Sequence, residues 1–258
     1  MLDILFAAAL ALTPSQTLAR LPAPEANQGV AVDGGFVYAV GNSEIAKYDR
    51  ATGQQVAKWT GDPATFPHLN SCAVIGVELV CASSNYPATP MSSTVEVFDP
   101  VNMVHLRSQS LGKQPGSLTW VDRKDGAWWA GFANYDGRGG EPGRDHRFTT
   151  VLRFDDRWRV TGAWIFPKTV LERFKPRSVS GGAWGADGRL YVTGHDHPEV
   201  YVLEIPRLGN ELKHVATIGV AIEGQAIAFD RSRPGVLYGI SRGKREVVEM
   251  QLPRVEVK

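Results

Sequence analysis

The chain predicts an all-β protein, a five-bladed β-propeller with three to four antiparallel strands per blade. Three observations carry this. A pattern of short apolar runs is written five times, its copies are spaced at roughly 45 residues, and no copy can bury its own apolar faces alone. Quoted in register, the first copy is Gln28-Gly29-Val30-Ala31-Val32 with Phe36-Val37-Tyr38-Ala39-Val40. The second is Ser71-Cys72-Ala73-Val74 with Leu79-Val80-Cys81-Ala82, and the third Ser117-Leu118-Thr119-Trp120 with Ala127-Trp128-Trp129-Ala130. Gly181-Gly182-Ala183-Trp184 with Leu190-Tyr191-Val192-Thr193 and Gln225-Ala226-Ile227-Ala228-Phe229 with Val236-Leu237-Tyr238-Gly239-Ile240 complete the set.

Third strands follow in each copy, beginning at Glu44, Thr94, Thr150, Val200 and Glu246. Outer strands such as Gln55-Val56-Ala57-Lys58-Trp59 come after turns such as Ala51-Thr52-Gly53. Their apolar/polar alternation suits sheets half exposed to water. The interval from Ser117 to Gly181 carries roughly twenty extra residues, which is long for a compact repeat and marks function or disorder. The surplus falls in the Gly-rich, charged stretch from Tyr135 to Arg147, expected to act as a lid, and in Pro167 to Phe174, where Val170, Leu171 and Phe174 have helical spacing. In the adjacent pair Trp128-Trp129 the two side chains face opposite ways on a strand, so at most one lines a given surface and core packing is expected of the other.

With 258 residues the chain suits one closed all-β domain, and a net charge of +1 gives no footprint for nucleic acid or an anionic membrane. The segment Ile4 to Leu12 is a short apolar core, and Thr17-Leu18-Ala19 suits cleavage by a signal peptidase. Residues 1–19 therefore read as a signal peptide, and residues 20–258 as the propeller of a periplasmic or secreted protein. Against this, Asp3 stands where such leaders carry positive charge. The apolar run is short for a membrane span. Cys72 and Cys81 fall opposite each other on one face if Gly76-Val77 is the hairpin turn, either as two small buried residues or as a disulfide, which export would favour.

Propellers bind ligands at one end of the central channel, where the loops approaching the first strands meet those leaving the second strands. The approach loops present His68, Asn70, Gln114, Arg177, Glu223 and Gln225, and the departing loops Asn85-Tyr86, Asn134-Tyr135, His195-Asp196 and Arg242. Histidines near their ordinary pKa exchange protons at neutral pH, so His195, His68 and Glu223 are the candidate catalytic groups. Asn70, Tyr86, Tyr135, His146, Arg147, Arg177, Gln225 and Arg242 are candidates for holding substrate, the arginines through a carboxylate. Asn85, Asn134 and Asp196 occupy equivalent positions in three copies. They offer oxygen ligands for one divalent cation, Ca²⁺ or Zn²⁺, or else bond their own loops. His195 and His197 add a weak zinc or copper pair.

The chain carries no Walker loop, dinucleotide fingerprint or zinc-protease motif, and neither nucleotide hydrolysis nor covalent serine catalysis is expected. The stretches Pro67 to Cys72, Ser84 to Pro87, Gly143 to Arg147 and Tyr191 to Asp196 resemble bacterial secreted propellers labelled cycloisomerase, over nearly the whole mature chain. Their broader kin are the NHL-type propellers and the gluconolactonase/senescence-marker-protein family. That resemblance implies a channel-bound divalent metal with Glu, Asn and Asp ligands. The sequence departs from the family where a first-strand glutamate is expected, since Gln28 stands there after Glu25-Ala26-Asn27 and leaves Glu223 as the well-placed glutamate. The expected activity is lactone opening or closing, or a related proton transfer, on a small carboxylated or sugar-like molecule by a monomeric isomerase or hydrolase. The alternative is a non-catalytic ligand-binding or scaffolding propeller.

Overall fold

The computed structural model describes residues 10–11, 14–113 and 115–256; most of the N-terminal apolar run, Ile4 to Ala9 with Leu12, and Gln114 lie outside them. Two strands, β1 (Leu10–Ala11) and β2 (Gln16–Pro22), precede the first blade. That blade is built from β3 (Gly29–Val32), β4 (Phe36–Val40), β5 (Glu44–Asp49) and β6 (Gln55–Thr60). The second comprises β7 (Leu69–Ile75), β8 (Glu78–Ser84), β9 (Ser93–Asp99) and β10 (Val104–Gly112). The third comprises β11 (Ser117–Lys124), β12 (Ala127–Ala133), β13 (Thr150–Phe154) and β14 (Val160–Ile165), and is followed by the helix α1 (Lys168–Phe174). The fourth blade is β15 (Gly181–Trp184), β16 (Leu190–Thr193), β17 (Glu199–Glu204) and β18 (Lys213–Gly219). The fifth takes only β19 (Ala228–Phe229), β20 (Val236–Ser241) and β21 (Glu246–Gln251) from its own copy of the repeat.

The fold is a five-bladed β-propeller of antiparallel four-stranded sheets, and β2 supplies the missing outer strand of the fifth. It pairs antiparallel with β21 from Gln16↔Gln251 to Pro22↔Glu246, and Arg20 bridges Glu246 at 2.9 Å. Ala19, read as the end of a leader, thus lies inside a strand of the propeller. Just before it the chain crosses from the fourth blade, where β1 runs parallel to β18 and the Ser15 amide donates to Gly219 O at 2.8 Å.

Burial follows position in the blade. The inner strand β3 is buried along its length, whereas β6 and β14 alternate exposed and half-buried positions as half-solvated sheets do. Neighbouring blades pack through apolar faces, and between the third and fourth Trp120 is fully buried. Its indole lies against Gly131 and Gly182, where a Cβ would stand 2.0 Å and 2.4 Å from ring atoms. Both positions need glycine because the ring occupies the space a side chain would fill. Trp129 is buried, whereas Trp128 is half-exposed and stacks on Trp158, with ring centroids 4.9 Å apart.

Cys72 and Cys81 are directly opposed across the β7–β8 hairpin and joined by a disulfide. The lower end of the channel narrows to a space of about 20 Å³. There the buried Asp122 carboxylate accepts from Arg231 at 2.5 Å and from the Trp184 amide at 2.9 Å, tying the last three blades together. The other end is open.

Candidate active site

The upper end of the channel holds a cavity of about 660 Å³, a size ordinary for small-molecule sites. Loops approaching the first strands bring Gln28, Pro67, His68, Pro176, Arg177 and Gln225 to it. Loops leaving the second strands bring Asn42, Tyr86, Pro87, Tyr135, Gly137, Arg138, His195 and Arg242, so all five blades contribute. The propeller thereby converts residues far apart in sequence into one lining.

One wall is aromatic. His68 and Tyr86 have ring centroids 5.1 Å apart, Tyr86 and Tyr135 are 5.1 Å apart, and Tyr135 meets His195 edge-on at 5.9 Å. Facing it is an amide wall, in which Gln28 Nε2 donates to Asn42 Oδ1 at 2.6 Å and the Gln225 side chain accepts from Ser180 Oγ at 3.4 Å. Gln225 holds a left-handed backbone, φ 70°, unusual for a residue with a side chain and of the kind found at ligand sites.

Arg138, Arg177 and Arg242 line the same space, and among the described residues no carboxylate does. Arg242 Nε donates to Asn27 Oδ1 at 3.0 Å, and Arg177 approaches the Asp196 carboxylate at 3.5 Å. Burial and the neighbouring guanidinium charges of Arg177 and Arg245 pull the Arg242 pKa below its ordinary value. Burial is also the main cause that lowers both histidines from 6.5 to about 4, helped at His68 by the Arg242 and His195 charges and at His195 by Arg177 and Arg242. A hydrogen bond of 2.9 Å between His195 Nδ1 and the Ser178 carbonyl opposes the shift. Since a carbonyl only accepts, neutral His195 carries its proton on Nδ1 and keeps its lone pair on Nε2.

Of the residues singled out from sequence, His68, His195, Tyr86, Tyr135, Arg177, Gln225 and Arg242 line the cavity, and the others do not. Asn70 is buried and spends its amide on Leu118 O at 2.9 Å. Glu223 is exposed and accepts from Ser241 Oγ at 3.2 Å. Arg147 is held by Asp145 at 2.6 Å. Asn85, Asn134 and Asp196, expected as metal ligands, lie outside this lining. Asn85 accepts from the Ser92 amide at 2.8 Å and donates to Pro90 O at 3.0 Å, and Asn134 donates to Pro115 O at 2.6 Å and Phe148 O at 3.0 Å while its buried Oδ1 has no hydrogen-bond partner among the described residues. Asp196 is exposed beside Arg177, and His197 also stays outside the lining. A lining with three guanidiniums and no carboxylate does not suit a hard divalent cation.

Asp136, Asp145 and His146 do form a group that could hold a metal, with candidate ligand atoms all within 4.8 Å of one another. In the structure these atoms bond one another and their neighbours. Asp136 Oδ1 accepts from the His146 amide at 2.9 Å and from its Nδ1 at 2.6 Å. The Gly-rich loop expected as a lid is fastened at this point, and again where Glu141 accepts from the Met91 amide at 2.6 Å. Gly139, with φ 82°, packs against the Tyr86 ring, 2.3 Å from where its Cβ would stand.

Residues passed over include Asn42 and Arg138, both detectable from their places in the departing loops. So is the stretch Gly239 to Gly243, which carries the Gly-x-Ser-x-Gly spacing of a nucleophile elbow. The structure runs it from β20 through a turn into β21, with Ser241 buried and bonded to Glu223, and the strand-to-helix context of an elbow is missing.

No family model matches the chain, and no curated protein matches it in sequence. Solved structures match it along nearly its whole length. A PQQ-bound aldose sugar dehydrogenase from Streptomyces coelicolor has a TM-score of 0.59 at 12% identity, covering 95% of this chain and 100% of that one. A luciferin-regenerating enzyme has a TM-score of 0.54 at 11% identity, covering 93% and 99%. A chain of a mitotic checkpoint complex matches at 0.51 and 10%, covering 98% and 99%. At such identities these likenesses concern the fold, which hosts unrelated functions.

Proposed function

We propose that the cavity binds a small carboxylated molecule and that His195 moves a proton on it, opening or closing a lactone. The observation that carries this reading is the pairing of two neutral imidazoles with three guanidiniums in one cavity. For ring opening, His195 Nε2 takes a proton from the attacking water. The new C–O bond forms as the ring C–O bond breaks, and the His195 imidazolium returns that proton to the alkoxide leaving group. Arg177 and Arg242 hold the carboxylate and stabilise the charge that develops on the carbonyl oxygen. Burial raises the Tyr135 pKa, so its phenol stays protonated as a donor beside His195. No metal takes part in this scheme. An exported setting is supported by the Cys72–Cys81 bond, since such bonds persist in oxidising compartments.

A panel of carboxylated lactones tests the activity. His195→Gln should lower kcat at least about 100-fold, the range of one acid–base group, while costing about 1 kcal/mol of stability or less. The wild-type rate should rise through about pH 4 as His195 loses its proton. Undiminished turnover in the variant removes His195 from the mechanism. Ligand binding without turnover of any lactone assigns the propeller to the non-catalytic class.

A further inference from the structure

We propose that the cavity is built for a small organic dianion, with two separate anionic groups carried on a flat body. This rests on the carboxylate-binding reading and narrows it. Three guanidiniums line the cavity, and the Asp196 carboxylate stands outside the lining, 3.5 Å from a single Arg177 nitrogen in an exposed pair that offsets only part of the Arg177 charge. Arg242 bonds the neutral Asn27 side chain, and Arg138 is exposed with no ion pair among the described residues. The lumen therefore carries an excess of positive charge, and at half-buried Arg242 that excess costs free energy until an anion enters.

The charges also have places. Arg177 precedes the inner strand of the fourth blade and Arg242 follows the second strand of the fifth, so they reach the ligand from different elements. His195 lies in the same lining as both. The strip of His68, Tyr86, Tyr135 and His195 gives the body of the ligand a face to lie on, and Gln28, Asn42 and Gln225 supply hydrogen bonds opposite. Guanidiniums bind carboxylates in pairs of parallel hydrogen bonds, so arginines that enter from separate loops can each engage one carboxylate of a two-carboxylate ligand.

Isothermal titration of the full chain at neutral pH and fixed ionic strength tests this, using benzoate, phthalate, isophthalate, terephthalate, phenyl phosphate and calcium chloride. At least one dicarboxylate should bind about tenfold or more tighter than benzoate and than phenyl phosphate, with no heat from calcium. Arg242→Gln and Arg177→Gln, each verified by its melting curve, should bring that dicarboxylate to the benzoate level and change benzoate less than about threefold. Arg147→Gln, outside the cavity, should change neither. Benzoate or phenyl phosphate binding as tightly as every dicarboxylate overturns the two-group proposal and leaves the carboxylate reading standing. Absence of binding by every anion overturns both.

Discussion

At the scale of single residues, the two cavity histidines link the site to stability. Burial, aided by the surrounding guanidiniums, lowers His68 and His195 from 6.5 to about 4. Between those values the unfolded chain holds protons that the folded chain does not, so stability rises with pH across the window and is lost as pH falls through it. The urea midpoint should therefore drop between pH 6.5 and about 4, and His68→Gln with His195→Gln should flatten that slope. An equal slope in the double variant would show that other groups drive it. These two residues were legible in the sequence because they depart from the repeat where a ligand end is expected. That Asn85, Asn134 and Asp196 stay outside the cavity lining has a physical reason. What an amide bonds is decided by loop backbone that folds back on it, such as the Ser92 amide that reaches Asn85, and residue type does not report that fold-back.

Among elements, β2 behaves unlike its neighbours. It is almost wholly exposed, yet it completes the hydrogen-bond ladder of the fifth blade and covers the β21 edge. Deleting residues 1–22 should leave the fifth sheet with three strands and an open edge, lowering the melting temperature and promoting association, as read by calorimetry and light scattering. A truncated chain that melts with the full one and stays monodisperse would show the strand to be dispensable. The inner and third strands were readable from alternation, and Glu44–Asp49 matches residue for residue. The outer strand of the fifth blade was not, because Gln16–Pro22 sits beside an apolar run and has the small residues of a cleavage site. Its strand character comes from its partner β21, about 230 residues on. The helix α1 was visible in the spacing of Val170, Leu171 and Phe174, and Val170 and Phe174 are buried as that spacing requires.

Across the whole molecule, closure of the ring governs behaviour. The disulfide acts within one hairpin, at a sequence separation of 9, so it does not hold the ring together. By chain entropy it contributes about 2.5 kcal/mol, and Cys72→Ala with Cys81→Ala should lower stability by that order while leaving dicarboxylate binding intact. Loss of binding in that variant would instead couple the lower channel to the upper cavity. Fivefold repetition and its spacing were enough to anticipate the ring, but not how it is sealed. In the sealed ring a strand made before all five blades becomes the last to find its place. During vectorial synthesis Gln16–Pro22 must wait, edge bare, until Glu246–Gln251 has been made. A circular permutant that joins β21 to β2 and opens instead at the connection after β6 would place these partners consecutively, as a hairpin, and turn a long-range pairing into a local one.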